Sequence, residues 1–458
     1  MGKELEHDLA LAHEVAALVA DAGGRAYFVG GYVRDRLLGT QPNDVDIEVF
    51  GIDGPHLREL LLRVGKPQTY GAAYEIFSIA GSGLDVSLPH RQTVAPDGTV
   101  GRVADHSLSP QEAARRRDLT IDALMEDVLT GQVIDYFAGI SDLKNRILRH
   151  VDATTFAEDP LRVFRVASHA ARLQATVDPT TIELCRNLDV THVSAERVLQ
   201  ELEKALMLAA RPSTFFRLLK EMDQLSGWFE EVGALIGCQQ NPVYHPEGDV
   251  FAHTMDVLDY AALMRDEAHV PFAFMLSALC HDVGKPLTTC VREGHLTSWG
   301  HETEGVKPAR MLMRRLKVSH DVVRYVTNMV ELHMRPGMLV ANVGSHKSYR
   351  RCFNASVDPC DLIMLSMADR MGTGALTGNA EVVRKLTAEY EDFNRVMELP
   401  AVRGRDLIEL GAEPGPLLGQ ALRYAEKLHL AGVSKQDALI HSMSYYRKLV
   451  TGREGETA

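Results

Sequence analysis

The sequence contains little cysteine and no long apolar run, and these absences exclude several classes of protein. Six cysteines are scattered through 458 residues, and without a Cys-x-x-Cys pair we expect neither a zinc knuckle nor a disulfide framework. No apolar stretch is long enough to span a membrane, and the acidic N-terminus lacks the uninterrupted apolar segment of a signal peptide. We therefore expect a reduced, cytoplasmic protein.

An excess of basic residues is also absent. The chain has 49 Lys and Arg against 62 Asp and Glu, a net charge of −13, which argues against a surface that is basic all over. Local basic clusters in ARRRD, LKNRILRH and PARMLMRRLK are compatible with a basic groove on an acidic body. The length exceeds one ordinary core, so we expect about two to four domains.

The residue pattern changes near residue 152, which predicts an α+β fold. Strand-like and helix-like patterns alternate from about residue 26 to 150, whereas apolar residues beyond that point recur at helical spacing. The predicted segments are an N-terminal helix (1–24), a mixed head (25–151), a helical neck and body (152–237), a second helical domain (245–376), a helical tail (377–450) and a disordered end (451–458).

Alternating carboxylates mark one predicted strand of the head. In DVDIEV, Asp44, Asp46 and Glu48 share one face of the strand, and apolar residues share the other. A solvated face explains this pattern too, but Asp44 and Asp46 are like charges without a basic residue between them, which is costly unless a cation is bound. Asp85 in GLDVSLP adds a carboxylate from a second predicted strand. Carboxylates from two neighbouring strands suit a pair of Mg²⁺ ions.

A Gly-Gly turn and a short predicted helix precede these acids, in VGGYVRDRLLG. With NDVDIEV, this segment resembles the polymerase β-like nucleotidyltransferases, and in particular the class II branch that holds CCA-adding enzymes and poly(A) polymerases. The resemblance implies that the catalytic Mg²⁺ ligands are Asp44, Asp46 and Asp85. It also implies nucleotide contacts from Gly30, Gly31, Arg34 and Asp35.

An arginine-rich segment, SPQEAARRRDLTIDAL, has helical periodicity. A helix through it would place Asp118 and Asp122 four residues apart, which is a mildly repulsive spacing. A solvated basic face explains RRRD when it is taken alone. RRDLTIDAL also resembles an arginine motif of the same family, except that Asp122 stands where Asn is usual. The resemblance implies that Arg116, Arg117 and Asp118 line the nucleotide site.

The segment FAEDPLRVFR follows, where Asp159 could cap a helix that starts at Pro160. It also resembles the family motif that reads the incoming base. A carboxylate can accept from the amino group of cytosine or adenine, and Arg can donate to the adjacent ring nitrogen. Asp159 and Arg162 would thus admit CTP and ATP and reject GTP and UTP, whereas Arg197 downstream is interpreted as structural. The expected nucleotide-binding residues of this segment are Glu158, Asp159, Arg162 and Arg165.

Histidines and aspartates recur through the second helical domain. A lone His on an apolar helix is usually a core residue, but the order H…HD…H…H…D resembles the HD phosphohydrolases, which bind metal in an all-helical domain. Imidazole and carboxylate together suit divalent metals, and the helix through FMLSALCHDVGKP is expected to end at Gly284. The implied metal ligands are His253, His281, Asp282 and Asp369, with His301 and His333 for a second ion, and Lys285 is expected to bind phosphate.

These resemblances together imply a bifunctional enzyme. The head would add CCA to tRNA 3′ ends from CTP and ATP with Mg²⁺, and the HD domain would act as a phosphatase or 2′,3′-cyclic phosphodiesterase, for instance in tRNA end repair. The expected partners are tRNA, CTP and ATP, with no membrane, and the chain could be a monomer or a homodimer.

Three alternatives stay open from the sequence. The first is a poly(A) polymerase, or an enzyme that adds only CC or only A. The segment at 91–109 matches the position of the family's flexible loop, whose length favours addition of A. The second is an HD hydrolase whose head is a degenerate RNA-binding module, and the third is a nucleotidyltransferase that acts on a small molecule.

Overall fold

The computed structural model describes residues 2–42, 44–70, 76–94, 100–243, 245–374 and 378–454. The chain divides into two compact units, one formed by Met1–Glu201 with Leu218–Gln224 and the other by Leu202–Arg217 with Leu225–Ala458. This division falls inside the predicted neck and body, 152–237. The finer domain boundaries given above stay predictions.

The first half of the chain combines strands and helices. Its strands are β1 (Arg25–Val29), β2 (Val45–Phe50), β3 (Pro67–Tyr70), β4 (Ile76–Ile79), β5 (Leu84–Ser87), β6 (His90–Val94), β7 (Val100–Ala104), β8 (Met125–Asp127), β9 (Val133–Ile134), β10 (Ile147–Leu148) and β11 (Thr176–Val177). Its helices are α1 (Gly2–Asp21), α2 (Gly31–Leu37), α3 (Gly54–Val64), α4 (Pro110–Arg115), α5 (Gly139–Asn145), α6 (Ala153–Ala157), α7 (Arg162–Leu173), α8 (Pro179–Arg186), α9 (Ala195–Leu208) and α10 (Ser213–Glu221).

Seven of these strands form one mixed sheet in the order β3-β4-β5-β2-β1-β8-β9. Strand β2 pairs in parallel with β5, which sets Asp46 opposite Asp85, and antiparallel with β1. Helix α1 packs on the sheet through an apolar stripe that contains Val15 and Val19. Because β2 lies between two strands and is covered, its residues from Ile47 to Phe50 are all buried. The predicted α+β fold is confirmed.

The helix predicted through the arginine motif is shorter than expected. Helix α4 begins with a capping box between Ser109 and Glu112 and ends at Arg115. Leu119 is extended (φ −119, ψ 147) and forms a bridge with His150, so pairing with a distant segment overrides the local helical pattern. The prediction that Asp118 and Asp122 share one helix, four residues apart, is therefore wrong.

The segment predicted as a flexible loop, 91–109, contains most of an antiparallel hairpin in the described residues. Strand β6 pairs with β7, with His90 opposite Ala104. Residues 95–99 lie outside the described part of the chain.

The described residues of the second half of the chain are helical apart from one hairpin of β12 (Cys290–Arg292) and β13 (His295–Thr297). Its helices are α11 (Glu230–Gly233), α12 (Val250–Ala262), α13 (Pro271–Cys280), α14 (Lys285–Thr288), α15 (His301–Glu304), α16 (Val306–Arg315), α17 (His320–Leu332), α18 (Met334–Ala341), α19 (His346–Ala355), α20 (Pro359–Gly372), α21 (Asn379–Glu398), α22 (Gly404–Glu409), α23 (Pro416–His429) and α24 (Lys435–Glu454). In the described residues, no helix combines the length and the apolar character that crossing a membrane requires.

Two helix ends differ from the sequence prediction. The apolar helix expected to end at Gly284 ends at Cys280, and His281 to Gly284 form a turn. A Cβ on Gly284 would lie 2.1 Å from the carbonyl oxygen of His301, so this close approach requires glycine. Helix α24 reaches Glu454, four residues into the predicted disordered end, and residues 455–458 lie outside the described part.

Candidate functional site

A cavity of about 370 Å³ opens in the first unit beside strand β2. Most residues that the sequence assigns to the nucleotide site line this cavity, although they come from widely separated segments. They are Gly30, Gly31, Arg34, Asp46, Arg116, Arg117, Asp118, Glu158, Asp159, Arg162 and Arg165. The lining also contains residues that the sequence did not predict for it, namely Glu48, His90, Ala113, Asp122, His169 and Arg197. Asp35, Asp44 and Asp85 are not part of the lining.

The two strand carboxylates Asp46 and Asp85 are direct neighbours across the β2–β5 pair. Burial raises the pKa of Asp46 to about 6, and the charges of Asp85 and Asp44 add to this while Arg117 opposes it. Burial and the charge of Asp44 also raise the pKa of Asp85. Carboxylates that repel each other in this way fit a divalent cation, which would relieve the repulsion. Among the described residues these three acids do not converge within 4.8 Å as a set.

The Gly-Gly turn sits at the end of β1, where it faces the cavity. Gly30 has φ +65, a left-handed backbone conformation that favours glycine. A Cβ on Gly31 would lie 3.5 Å from Nη2 of Arg34. The turn thus leaves the backbone open to the cavity while helix α2 carries Arg34 into its wall.

Glu48 is the acid on β2 that neither chemistry nor resemblance could assign. It is buried, and its Oε1 lies 3.3 Å from Nη2 of Arg117. The alternation of DVDIEV correctly places it on the same side of the strand as Asp46. Its partner stands 69 residues away in the chain, so the sequence pattern carried no signal for this ion pair.

Asp122 has a defined place although it departs from the usual Asn. Its Oδ1 accepts a hydrogen bond from Nη1 of Arg34 at 2.7 Å, and its Oδ2 lies 3.2 Å from Nε2 of His169. Burial opposes the charge of Asp122, but Arg34 and His169 hold the pKa of this carboxyl well below its usual range. Asp118 is paired separately, with Nε of Arg165 at 2.7 Å. Each carboxylate therefore has its own cation, and the expected repulsion between them is relieved.

The base-reading motif is held by contacts within the first unit. Both oxygens of Asp159 accept hydrogen bonds from Arg197, at 2.6 and 3.2 Å, and Arg197 also lines the cavity. The interpretation of Arg197 as a structural residue stays a prediction. Arg162 donates to the backbone carbonyls of Thr155 (2.5 Å) and Arg116 (2.7 Å). Helix α7 begins at Arg162, and Asp159 Oδ1 also accepts from the amide of Leu161 at 3.2 Å. The prediction that Asp159 caps a helix starting at Pro160 is therefore wrong, because the helix starts two residues later with Leu161 at its N-cap and without a side-chain cap.

The second unit gathers the predicted histidines and aspartates into two adjacent groups. In each group the potential ligand atoms lie within 4.8 Å of one another. The first group is His253, His281 and Asp369, and the second is Asp282, His301 and His333. Asp282 stands between them, with Oδ2 3.2 Å from Nε2 of His281 and Oδ1 3.2 Å from Nε2 of His301.

The imidazole rings in these groups are oriented as metal ligands require. The Nδ1 atoms of His281, His301 and His333 lie 2.9, 2.8 and 2.7 Å from backbone carbonyl oxygens. Because a carbonyl can only accept, Nδ1 carries a proton, and in the neutral ring the Nε2 lone pair faces the group. Burial lowers the pKa of His333 to about 3, which keeps this ring neutral. The donor set of imidazoles and carboxylates therefore fits divalent metal.

His253 differs from these three histidines, because its Nδ1 faces a carboxylate. Oε1 of Glu247 lies 2.8 Å from Nδ1 of His253 and 2.9 Å from Nδ1 of His245. Nε2 of His253 lies 3.0 Å from Oδ1 of Asp369. Glu247 was not identified from the sequence, since it lies in a loop before α12 and carries no ligand spacing of its own.

Lys285 also adjoins these groups, but its contacts are to protein atoms. Its Nζ lies 2.6 Å from Oδ2 of Asp282 and donates to Oε1 of Gln240 at 2.7 Å. Its role in phosphate binding stays a prediction.

Two protein families match this chain in the regions that hold the two sites. Residues 26–149 match the Poly A polymerase head domain, and residues 250–371 match the HD domain. The HD match contains every residue of the two histidine–aspartate groups. The head match contains the strand acids and the arginine motif but ends before the base-reading segment.

Two similar whole proteins carry the same description. The multifunctional CCA protein of Pasteurella multocida is 39% identical over 323 residues, which are 68% of this chain and 74% of that protein. The multifunctional CCA protein of Xanthomonas oryzae pv. oryzae is 34% identical over 431 residues, which are 90% of this chain and 100% of that protein.

Solved structures of similar fold have lower sequence identity. The Thermotoga maritima CCA-adding enzyme complexed with tRNA has a TM-score of 0.62 at 18% identity and covers 95% of this chain and 94% of that one. The Bacillus stearothermophilus CCA-adding enzyme in complex with CTP has a TM-score of 0.63 at 22% identity, with 98% and 99% covered. These structures support the fold.

Proposed function

The chain belongs to the family of multifunctional CCA proteins, and from this premise we propose that it adds CCA to tRNA 3′ ends, using CTP and ATP without a nucleic-acid template. The observation that carries the proposal is the cavity of the first unit, which joins the Gly-Gly turn, Asp46, the arginine motif and the base-reading motif. A nucleoside triphosphate needs these same features, namely open backbone, cations for its phosphates and paired polar groups for its base. We place this activity in the cytoplasm.

The proposed reaction is a nucleotidyl transfer in the head. The tRNA 3′ hydroxyl attacks the α-phosphorus, a new P–O bond forms, the bond to the β-phosphate breaks, and pyrophosphate leaves. Asp44, Asp46 and Asp85 would hold divalent cations, and we assign Mg²⁺ because every ligand is a carboxylate oxygen. When bound, such cations lower the pKa of the attacking hydroxyl and neutralise charge on the phosphates. Arg116 and Arg117 would position the triphosphate.

Base selection is assigned to Asp159 and Arg162. The carboxylate of Asp159 would accept from the amino group of cytosine or adenine, and Arg162 would donate to the adjacent ring nitrogen. Arg197 would hold Asp159 in the orientation that this recognition needs, because it binds both carboxylate oxygens. Guanine and uracil present the opposite arrangement of donor and acceptor and would be rejected.

The second unit is proposed to act as a metal-dependent phosphohydrolase on phosphomonoesters and 2′,3′-cyclic phosphates, as in repair of damaged tRNA ends. The two histidine–aspartate groups support this, since they offer buried or half-buried ligands for one or two divalent ions. Metal held there would lower the pKa of a bound water that attacks phosphorus. Lys285 would contact the phosphate.

One incorporation assay tests the main proposal. Purified protein is incubated with tRNA that lacks CCA and with labelled CTP, ATP or both. We expect two CMP residues followed by one AMP. Long adenosine tails without CMP would favour a poly(A) polymerase, addition of CC alone or A alone would indicate a partial enzyme, and no incorporation beside intact phosphatase activity would favour a degenerate head.

A further inference from the structure

The two tryptophans of this chain have opposite environments. Trp228 is buried, with 7% of its surface exposed, whereas Trp299 is 70% exposed. Trp is enriched at interfaces, because its ring is apolar and its N–H is a polar donor. Trp299 stands two residues before His301, which belongs to the second histidine–aspartate group.

A hairpin supports Trp299 from one side. Strands β12 and β13 pair with Arg292 opposite His295, and the guanidinium carbon of Arg292 lies 5.0 Å from the centroid of the Trp299 ring. In the described part of the chain, Arg292 has no carboxylate oxygen within 4.0 Å, so its positive charge is not neutralised by an ion pair. The exposed indole ring of Trp299 therefore has a guanidinium over it at 5.0 Å.

Hydrogen bonds tie this surface to the metal-ligand groups. The carbonyl oxygen of Ser298 lies 2.8 Å from Nδ1 of His301, and the hydroxyls of Ser298 and Thr289 are 2.7 Å apart. Thr289 in turn donates to the carbonyl of Lys285 at 2.8 Å. Two residues span at most about 7 Å of chain, which is comparable with the reach of one nucleotide. The ring and the ligand His301 are therefore positioned by the same short segment.

We propose that Trp299, supported by Arg292, is a stacking platform for the nucleobase of a nucleotide whose phosphate reaches the two histidine–aspartate groups. The inference rests on the phosphohydrolase function proposed above and names its substrate class: a terminal ribonucleotide of RNA or a free cyclic nucleotide, which should bind more tightly than an aliphatic phosphoester because it has a base. Stacking accepts any base because every base has a π-face. Arg292 adds attraction both for the ring and for the backbone phosphates.

Intrinsic fluorescence tests binding directly. In a Trp228→Phe variant, Trp299 is the single tryptophan. With Mg²⁺ or Mn²⁺ present, we expect saturable quenching by 2′,3′-cyclic CMP, by a short RNA that ends in a 2′,3′-cyclic phosphate, or by both. The ligand that binds more tightly shows whether the platform serves a free nucleotide or an RNA end. Inorganic phosphate should leave the signal unchanged, as should either ligand with a Trp299→Phe protein that keeps Trp228. No quenching of Trp299, or equal quenching by phosphate, would overturn the platform.

Kinetics on the full chain provides the second test. Trp299→Ala should raise KM for 2′,3′-cyclic CMP by about 5- to 100-fold, the range expected for losing a base stack, with kcat unchanged. Hydrolysis of glycerol phosphate, which has no base, should not change. Trp299→Phe should keep most of the affinity, and Val343→Ala, at a side chain 88% exposed, is the matched control.

The outcomes separate the two proposals. Equal loss on both substrates in Trp299→Ala would contradict a base platform and indicate damage to the metal groups. If the wild-type protein hydrolyses neither substrate, the phosphohydrolase proposal fails, while the fluorescence titration still decides whether Trp299 stacks on a base.

Discussion

The carboxylate of Asp122 lies between Arg34 and His169 on the wall of the nucleotide cavity, with Oδ1 2.7 Å from Nη1 of Arg34 and Oδ2 3.2 Å from Nε2 of His169. All three side chains are buried. Burial opposes the charge of Arg34, yet Asp122 and Asp35 raise its pKa above the ordinary value. Arg34 is thus kept charged and fixed in place, and the stability of the first unit depends on the charge of Asp122.

Asp122→Asn removes this charge at constant size. We expect the free energy of unfolding near neutral pH to fall by about 1–3 kcal/mol, because a buried guanidinium loses its charged acceptor. The pKa of Asp122 is lowered by folding, so its stabilisation is complete above the unfolded value of about 3.9 and is lost as the pH falls below it.

Urea unfolding of both proteins across this pH range measures the effect. The difference between wild type and Asp122→Asn should stay constant from about pH 7 to about pH 5 and shrink below about pH 4. Asp21→Asn, at an exposed position of α1, is the control and should show little change. A variant as stable as the wild type at neutral pH would contradict the assigned role of Asp122.

Much of the head could be predicted from short patterns, because the strand acids and the Gly-Gly turn lie in local sequence with clear periodicity. The ion pairs that complete the site could not. Glu48 pairs with Arg117 across 69 residues, and Asp159 with Arg197 across 38 residues, so each pair depends on the folded chain. The prediction of a helix through RRRD was wrong for the same reason, since Leu119 pairs with the distant His150 and does not continue the helix.

The two proposed sites should be separable by mutation. Asp44→Ala with Asp46→Ala is expected to abolish CMP and AMP incorporation into tRNA, because the cation ligands are lost, while metal-dependent phosphatase activity remains. His281→Ala with Asp282→Ala should have the reverse effect. Circular dichroism and thermal unfolding check that each protein is folded. If one folded double variant lacked both activities, the assignment of two independent sites would be wrong.

Arg197→Met should weaken nucleotide selection. Without its two hydrogen bonds to Asp159, the carboxylate can rotate, so we expect the preference for CTP over UTP in kcat/KM to fall by about 10-fold or more. Arg197→Lys keeps the charge but not the bidentate geometry, so its preference for CTP over UTP should lie between those of the wild type and Arg197→Met. Arg186→Met removes an exposed arginine of the same unit that pairs with Glu183, and it should leave selection intact. Unchanged discrimination in Arg197→Met would show that Asp159 is oriented by other contacts.

Glu247 should tune metal binding in the second unit, because its Oε1 lies 2.8 Å from Nδ1 of His253 and so orients that ring toward Asp369. Replacing such an outer carboxylate typically weakens metal affinity by about 10- to 100-fold. We expect this loss for Glu247→Ala and a smaller one for Glu247→Gln, measured by calorimetric titration of divalent metal and by metal content after dialysis. Exposed Glu304 provides the control Glu304→Gln, and tRNA incorporation should be unaffected in all three variants. Equal affinity in Glu247→Ala and wild type would mean that His253 is held by its helix alone.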